Sequence, residues 1–164
     1  HLIFCATGGL TIDGAGPEKS LKQIAPEAMM KQFALNALGT ALVLKHFVPH
    51  LVRRERALMG FLSARVGSIG DNRLGGWISY RASKAALNQI VRTASVEVAR
   101  THPQAVVVPL HPGTVATSLT QNYAAGHARM PPDDSARALL GVLNKLRPEQ
   151  TGRFFAYDGQ PIEW

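Results

Sequence analysis

The chain has 164 residues, 46% of them hydrophobic and 18% charged, which is enough apolar material for one core and too little for two ordinary domains. The formal net charge is +7, and the single cysteine, Cys5, excludes an internal disulfide framework and fits a reducing, cytoplasmic setting. No apolar run approaches the roughly 20 residues of a membrane span and no basic start or small-residue cleavage site marks a signal peptide, so a soluble protein with no membrane partner is expected.

The basic residues are dispersed apart from Arg53, Arg54 and Arg56, which fall at the end of a predicted helix, where cations complement the dipole. No aromatic residues interleave with them as a stacking platform would require, so nucleic acid is not expected as a partner. The chain opens on His1 and enters an apolar run at once, and it reads as cut at the front.

From Leu2 to Ala6 runs a short apolar segment that ends at Thr7, Gly8 and Gly9, as a buried strand does before a loop. Leu10 to Ile24 carries Asp13, Gly14, Gly16, Pro17 and Ser20 and reads as a loop. Pro26 suits a first helical position, and Met29, Met30, Phe33, Ala37, Leu38, Ala41, Leu44 and Val48 recur with helical spacing, which predicts a long helix over 26–52. Ala57 to Ser63 is a second buried strand, followed by a loop containing Gly67, Gly70, Gly75 and Gly76. A second long helix begins near Ser79 and runs to about Thr101, where His102 and Pro103 end it. Ala105 to Leu110 is a β-branched strand broken by His111, Pro112 and Gly113. Pro131 and Pro132 open a last helix with Asp133 and Asp134 in its first turn and Leu139, Leu140 and Leu143 on its apolar face. Phe154 to Ala156 is a final short strand.

Apolar strands alternating with helices predict an α/β fold with a parallel sheet covered on both faces, as in the C-terminal half of a doubly wound Rossmann-type sheet, one partial domain over residues 1–164. Such folds take their ligands outside the C-terminal ends of the strands, so the informative loops follow Ala6, Ser63 and Leu110.

Tyr80 and Lys84 lie four residues apart at the start of a helix, so both side chains project from one face. A tyrosine hydroxyl with its usual pKa near 10 is a poor acid or base at neutral pH, and a neighbouring ammonium is expected to lower it. Tyr80 then becomes a candidate to exchange the proton that accompanies hydride transfer at a carbonyl. The spacing alone is common in helices. The histidines His46, His50, His102, His111 and His127 show no metal-ligand spacing with Cys5 or with carboxylates, so no metal is expected. Trp77 suits either a wall of the substrate site or a place in the core.

The run from Tyr80 through Lys84 to Leu87 resembles the catalytic helix of the short-chain dehydrogenase/reductase family. Asn36-Ala37-Leu38-Gly39 with Pro49 resembles the family helix whose Asn completes a catalytic tetrad through a water-linked relay. Pro112-Gly113-Thr114-Val115-Ala116-Thr117 is similar to the segment whose backbone and Thr hold the nicotinamide carboxamide. The loop Gly67 to Asn72, the Gly75-Gly76 pair and the Asp158-Gly159 tail resemble the branch of C-factor signalling proteins and sniffer-type carbonyl reductases, and the ending reads as complete.

The resemblance implies an NAD(P)-dependent oxidoreductase for a small carbonyl or secondary alcohol, homo-oligomeric, with NADP slightly favoured over NAD. It also implies Tyr80 as acid/base, Lys84 lowering its pKa and holding the nicotinamide ribose, Asn36 ordering the relay, and cofactor contacts from Ala6, Thr7, Gly8, Tyr80, Lys84, Pro112, Gly113, Val115 and Thr117. Three departures stand out. Ala64 takes the place of the usual catalytic Ser, leaving Ser63, which is favoured, or Ser68 to substitute. Cys5-Ala6-Thr7-Gly8 replaces the family's Asn-Asn-Ala-Gly and keeps only the Gly that allows close backbone approach. No G-x-x-x-G-x-G follows a strand, so the residues read as a fragment starting at the family's fourth strand, inactive alone and lacking the positions that choose between NAD and NADP. A non-catalytic signalling or cofactor-sensing protein is the second reading, motivated by Ala64. A nucleotide-sugar epimerase or dehydratase is the third, disfavoured by the short C-terminal part.

Overall fold

A computed structural model of the chain describes residues 1–123 and 128–164. Four strands, β1 (Leu2–Cys5), β2 (Ala57–Leu62), β3 (Ala105–His111) and β4 (Phe155–Ala156), form one sheet in sequential order. Each pair is parallel, with Cys5 opposite Phe61, Leu62 opposite Leu110 and Leu110 opposite Phe155. The two central strands are buried on both faces, which is why they read as unbroken apolar runs instead of alternating ones.

The connections cover the two faces. Helices α1 (Pro26–Phe33), α2 (Gly39–Phe47) and α3 (Ile78–Thr101) lie on one side, where Leu44, Leu87, Val91 and Val98 pack with Met59, Phe61 and Val107. Helix α4 (Pro132–Lys145) covers the other, where Leu139, Val142 and Leu143 meet Val106, Val108 and Leu110. This is the doubly wound half-sheet expected, and alternate residues of β3 feed opposite cores because strand side chains alternate in direction.

The long helix over 26–52 is not a uniform one. Residues Ala34–Leu38 between α1 and α2 form a π-helical segment, in which the Gly39 N–H reaches back to the Ala34 carbonyl, and Val48–His50 tighten into a 3-10 turn. Its buried stripe also differs from the apolar one expected: Gln32, Asn36, Thr40 and Leu44 are buried, whereas Met30 and Leu38 are 72% and 56% exposed.

Arg56 is placed elsewhere than expected. Its guanidinium donates from Nη2 to the carbonyls of Leu143, Asn144 and Leu146 at 3.1, 2.7 and 3.0 Å, closing the C-terminus of α4 instead of the helix that precedes it in sequence. Among the described residues no helix is long and apolar enough to cross a membrane.

Candidate active site

Because the strands are parallel, the segments leaving β1, β2 and β3 emerge at one edge of the sheet, and the first turns of α3 rise beside them. Tyr80 and Lys84 occupy those turns, 7% and 3% exposed. Lys84 Nζ donates to the carbonyl of Leu62, the last residue of β2, at 3.0 Å and lies 5.9 Å from the centre of the Tyr80 ring. Burial pushes the Tyr80 hydroxyl up to about 12. The same burial takes the Lys84 ammonium down to about 8, with Cys5 at the end of β1 offsetting part of the fall.

The direction for Tyr80 is the reverse of the one expected from the four-residue spacing. The ammonium sits beside the ring and is bound to a backbone carbonyl, so desolvation of the phenol outweighs its attraction for a phenolate. A hydroxyl in this state stays protonated at neutral pH and can donate a hydrogen bond, but it gives up its proton only to a strongly basic oxygen.

Asn36 lies in the π-helical segment and is 1% exposed. Its side chain brackets the loop after β1: Oδ1 accepts the Gly9 N–H at 2.9 Å and Nδ2 donates to the Gly9 carbonyl at 3.0 Å. Nδ2 also meets Gln32 Oε1 at 2.7 Å and Ser83 Oγ at 3.1 Å, so the amide's donors are already engaged by the protein. Ser83 in turn donates to the Tyr80 carbonyl at 2.9 Å. The Asn36 side chain is thus a clamp joining the glycine loop to the helix of Tyr80.

Gly8 is where that loop passes the amine. With φ at 155°, a Cβ there would sit 3.0 Å from Lys84 Nζ and 3.2 Å from Asn36 Oδ1, so glycine lets the amine and the amide close on the loop. Ala6 and Thr7 beside it are exposed at the mouth, and Thr7 Oγ1 contacts Cys5 Sγ at 3.2 Å.

On the far side, the Pro112 carbonyl accepts from Ser135 Oγ in the first turn of α4 at 2.8 Å. Gly113 has φ of 79°, and its missing Cβ would lie 2.9 Å from the Tyr157 ring. Val115 bridges to Met130, and Thr117, whose N–H returns to the Val115 carbonyl at 2.9 Å, is exposed. The segment expected to hold a nicotinamide carboxamide therefore stands at the same edge as Gly8 and Tyr80.

Ser63 is brought to the end of β2, but its Oγ donates to Asn88 Oδ1 at 2.6 Å and is buried between the strand and α3. Ser68 accepts the Asp71 N–H at 3.0 Å and is 2% exposed. Both hydroxyls are held by partners other than Tyr80, while Ala64 is half-buried with no hydroxyl to offer.

Trp77 is half-buried and packs edge-on against Tyr80 and Tyr123, with ring centres at 6.3 and 5.7 Å. His111 ends β3, and its Nδ1 accepts the Arg65 N–H at 3.3 Å. His46 and His50 are exposed and His102 caps the end of α3. His127 lies outside the described residues. Among the described residues no group of three or more His, Cys, Asp or Glu is arranged to hold a metal.

Gln32, Ser83, Asn88 and Glu18 complete the polar network, and sequence patterning gives little sign of them. Gln32 lies one α-turn before Asn36 and Asn88 one α-turn after Lys84, so the four-residue step was the available signal.

Comparison with known proteins identifies the family and the fold. The family described as short chain dehydrogenase matches residues 4–128. The C-signal protein of Myxococcus xanthus is 38% identical over 137 residues, covering 83% of this chain and 78% of its own. The carbonyl reductase Sniffer of D. melanogaster superposes with a TM-score of 0.84 at 25% identity, over 99% of this chain and 66% of its own length. The NADPH-bound carbonyl reductase from chicken fatty liver superposes with a TM-score of 0.76 at 28% identity, over 96% of this chain and 67% of its own. The chain therefore spans about two thirds of the length of these structures.

Proposed function

Since the chain belongs to the short-chain dehydrogenase family, we propose that the whole protein transfers hydride between NAD(P), NADP being favoured, and a carbonyl or secondary alcohol, with Tyr80 as the acid/base. The observation that carries the reading is the convergence of Tyr80, Lys84, Gly8 and Asn36 at one edge of the sheet. The carbonyl reductases of similar fold, one of them with NADPH bound, support both the reaction class and the cofactor.

The residues present fit a nicotinamide. The missing Cβ at Gly8 lets the Lys84 amine and the Asn36 amide close on the loop after β1, while Ala6, Thr7 and Thr117 are exposed in the segments that follow β1 and β3. Ala6, Thr7, Gly8, Tyr80, Lys84, Pro112, Gly113, Val115 and Thr117 would hold it. Bound there, the reduced ring supplies the hydride.

The chain's own part is the proton and the geometry. Tyr80 Oη donates a hydrogen bond to the substrate carbonyl oxygen and passes its proton as that oxygen takes on alkoxide character, a base strong enough to take it from a phenol of raised pKa; the phenolate left behind is stabilised by Lys84. Lys84, bound to the Leu62 carbonyl, is fixed between the strand end and the ring. Asn36 acts as a positioning residue by holding Gly9. With Ser63 bound to Asn88, polarisation of the carbonyl falls to Tyr80 itself. The exposed apolar residues Leu35, Leu38 and Leu42, three to four residues apart on one side of α2 and its approach, support a homo-oligomer through that face.

The test is a Tyr80→Phe variant of the full-length protein assayed with NADPH and phenanthrenequinone. A fall of at least about 100-fold in kcat with NADPH affinity retained is expected; full activity in the variant would overturn the assignment. A second reading, a cofactor-sensing protein without turnover, is favoured by Ala64 and the engaged Ser63 hydroxyl. Tight NADPH binding with no reduction of any carbonyl in a broad panel would select it.

A further inference from the structure

Helix α3 lacks a cap of its own. Gly75, Gly76 and Trp77 are consecutive residues with φ of 63°, 65° and 54°, and the indole at the N-cap position makes no side-chain hydrogen bond to the helix. The first-turn N–H groups of a helix have no intrahelical acceptors and need partners from outside. Here the partner comes from the loop after β1. Glu18, 61 residues upstream, accepts the Ser79 N–H at 3.2 Å and the Ser79 hydroxyl with its carboxylate, and its backbone carbonyl accepts the Trp77 N–H.

Glu18 is only 8% exposed, and among the described residues no ion pair engages it. A buried carboxylate is costly unless it is well bonded, and the positive end of a helix is the one place here that offsets the cost without a cation. Ser79 is the residue before Tyr80, and Trp77, whose N–H Glu18 also holds, packs its edge against the Tyr80 ring. The other end of the same loop is tied down as well: Gly9 by Asn36, and the Leu10 carbonyl by Gln32 Nε2 at 2.8 Å. Residues 9–18 are therefore a strap fastened at one end to the glycine loop and at the other to the turn that carries Tyr80.

Building on the oxidoreductase reading, we infer that Glu18 is a positioning residue for Tyr80: through its carboxylate bonds to Ser79 it fixes the first turn of α3, and with it the height of the phenol relative to Gly8. Its effect falls on the hydride-transfer step, because a misplacement of about 1 Å in an acid/base group costs about 100-fold in rate while leaving cofactor contacts in place.

The experiment uses the full-length protein, NADPH and phenanthrenequinone in single-turnover mode, with NADPH dissociation constants measured separately by fluorescence. Glu18→Ala should slow hydride transfer about 30- to 100-fold with NADPH affinity within about threefold of the parent, and should speed amide exchange at Ser79. Glu18→Gln keeps an acceptor oxygen for the Ser79 N–H and should recover the rate to within about fivefold. Asp13→Asn, which removes the same charge from the exposed pair with Lys31 on the same strap, should leave the rate unchanged. A cap serving stability alone would lower the fraction of protein that binds NADPH without altering the single-turnover rate of the bound fraction.

A parent-like single-turnover rate in Glu18→Ala overturns the inference, as does an equal loss in Glu18→Gln and Asp13→Asn. Should Glu18→Ala fail to fold, Ser79→Ala, which removes only the hydroxyl partner, is expected to slow transfer about 3- to 10-fold, and a parent rate there overturns the inference equally. Tyr80→Phe separates the two levels: its loss beside an unaffected Glu18→Ala removes the role of Glu18 alone, and its retention of activity removes the reading beneath it.

Discussion

Replacing His111 by asparagine is expected to flatten the acid side of the stability profile. In the folded protein burial and the nearby Arg65 guanidinium carry the imidazole down from 6.5 to about 4, with Asp158 offsetting a little. Between these pH values the unfolded chain binds the proton and the folded one does not, so the contribution is complete above about 6.5 and is lost as the pH falls through about 4. At about 1.4 kcal/mol per pH unit, the gap amounts to roughly 3 kcal/mol. The structure gives the loss a location: a protonated Nδ1 can no longer accept the Arg65 N–H, and the turn Arg65–Gly67 beyond β2 is released. Urea unfolding of the full-length protein at pH 7, 6, 5 and 4 measures it, with the parent losing about 3 kcal/mol more than His111→Asn across the range. Parallel profiles for the two proteins would refute the argument.

Gly113→Ala forces a left-handed φ of 79° on an alanine and drives its methyl against the Tyr157 ring, so a loss of about 1 to 3 kcal/mol is expected in urea unfolding. Arg56→Met removes a donor shared by three carbonyls at the end of α4; a loss of about 1 to 2 kcal/mol is expected, with hydrogen exchange accelerated in the last turn of that helix and unchanged in α3.

The strands were legible because a parallel strand between two helical layers must be apolar throughout, and the runs from Ala57 and Ala105 say so directly. Tyr80 and Lys84 could be picked out because helical spacing is a local property of sequence, whereas Asn36 and the Pro112 segment stood out only through their resemblance to family motifs. The protonation of Tyr80 was not, since spacing fixes how near an ammonium lies and says nothing of how much water the phenol has lost. Ser63 was placed correctly at the strand end, yet the direction of its hydroxyl depended on Asn88, 25 residues further on. Glu18 gave no signal: one carboxylate in a loop of Gly and Pro reads as solvated, and only the missing cap of α3 draws it inward.

The π-helical turn at Ala34–Leu38 has a consequence for the phase of the helix. Gln32, Asn36, Thr40 and Leu44 repeat every four residues, and on a helix of 3.6 residues per turn such a series drifts about 40° at each step. The wider turn takes part of that drift back, so one continuous line can begin as a polar rail against the strap and α3 and finish as an apolar rail against the sheet. One residue removed from that segment would turn the two rails relative to each other by about 100°. Its length is therefore constrained more tightly than the identity of any exposed residue within it.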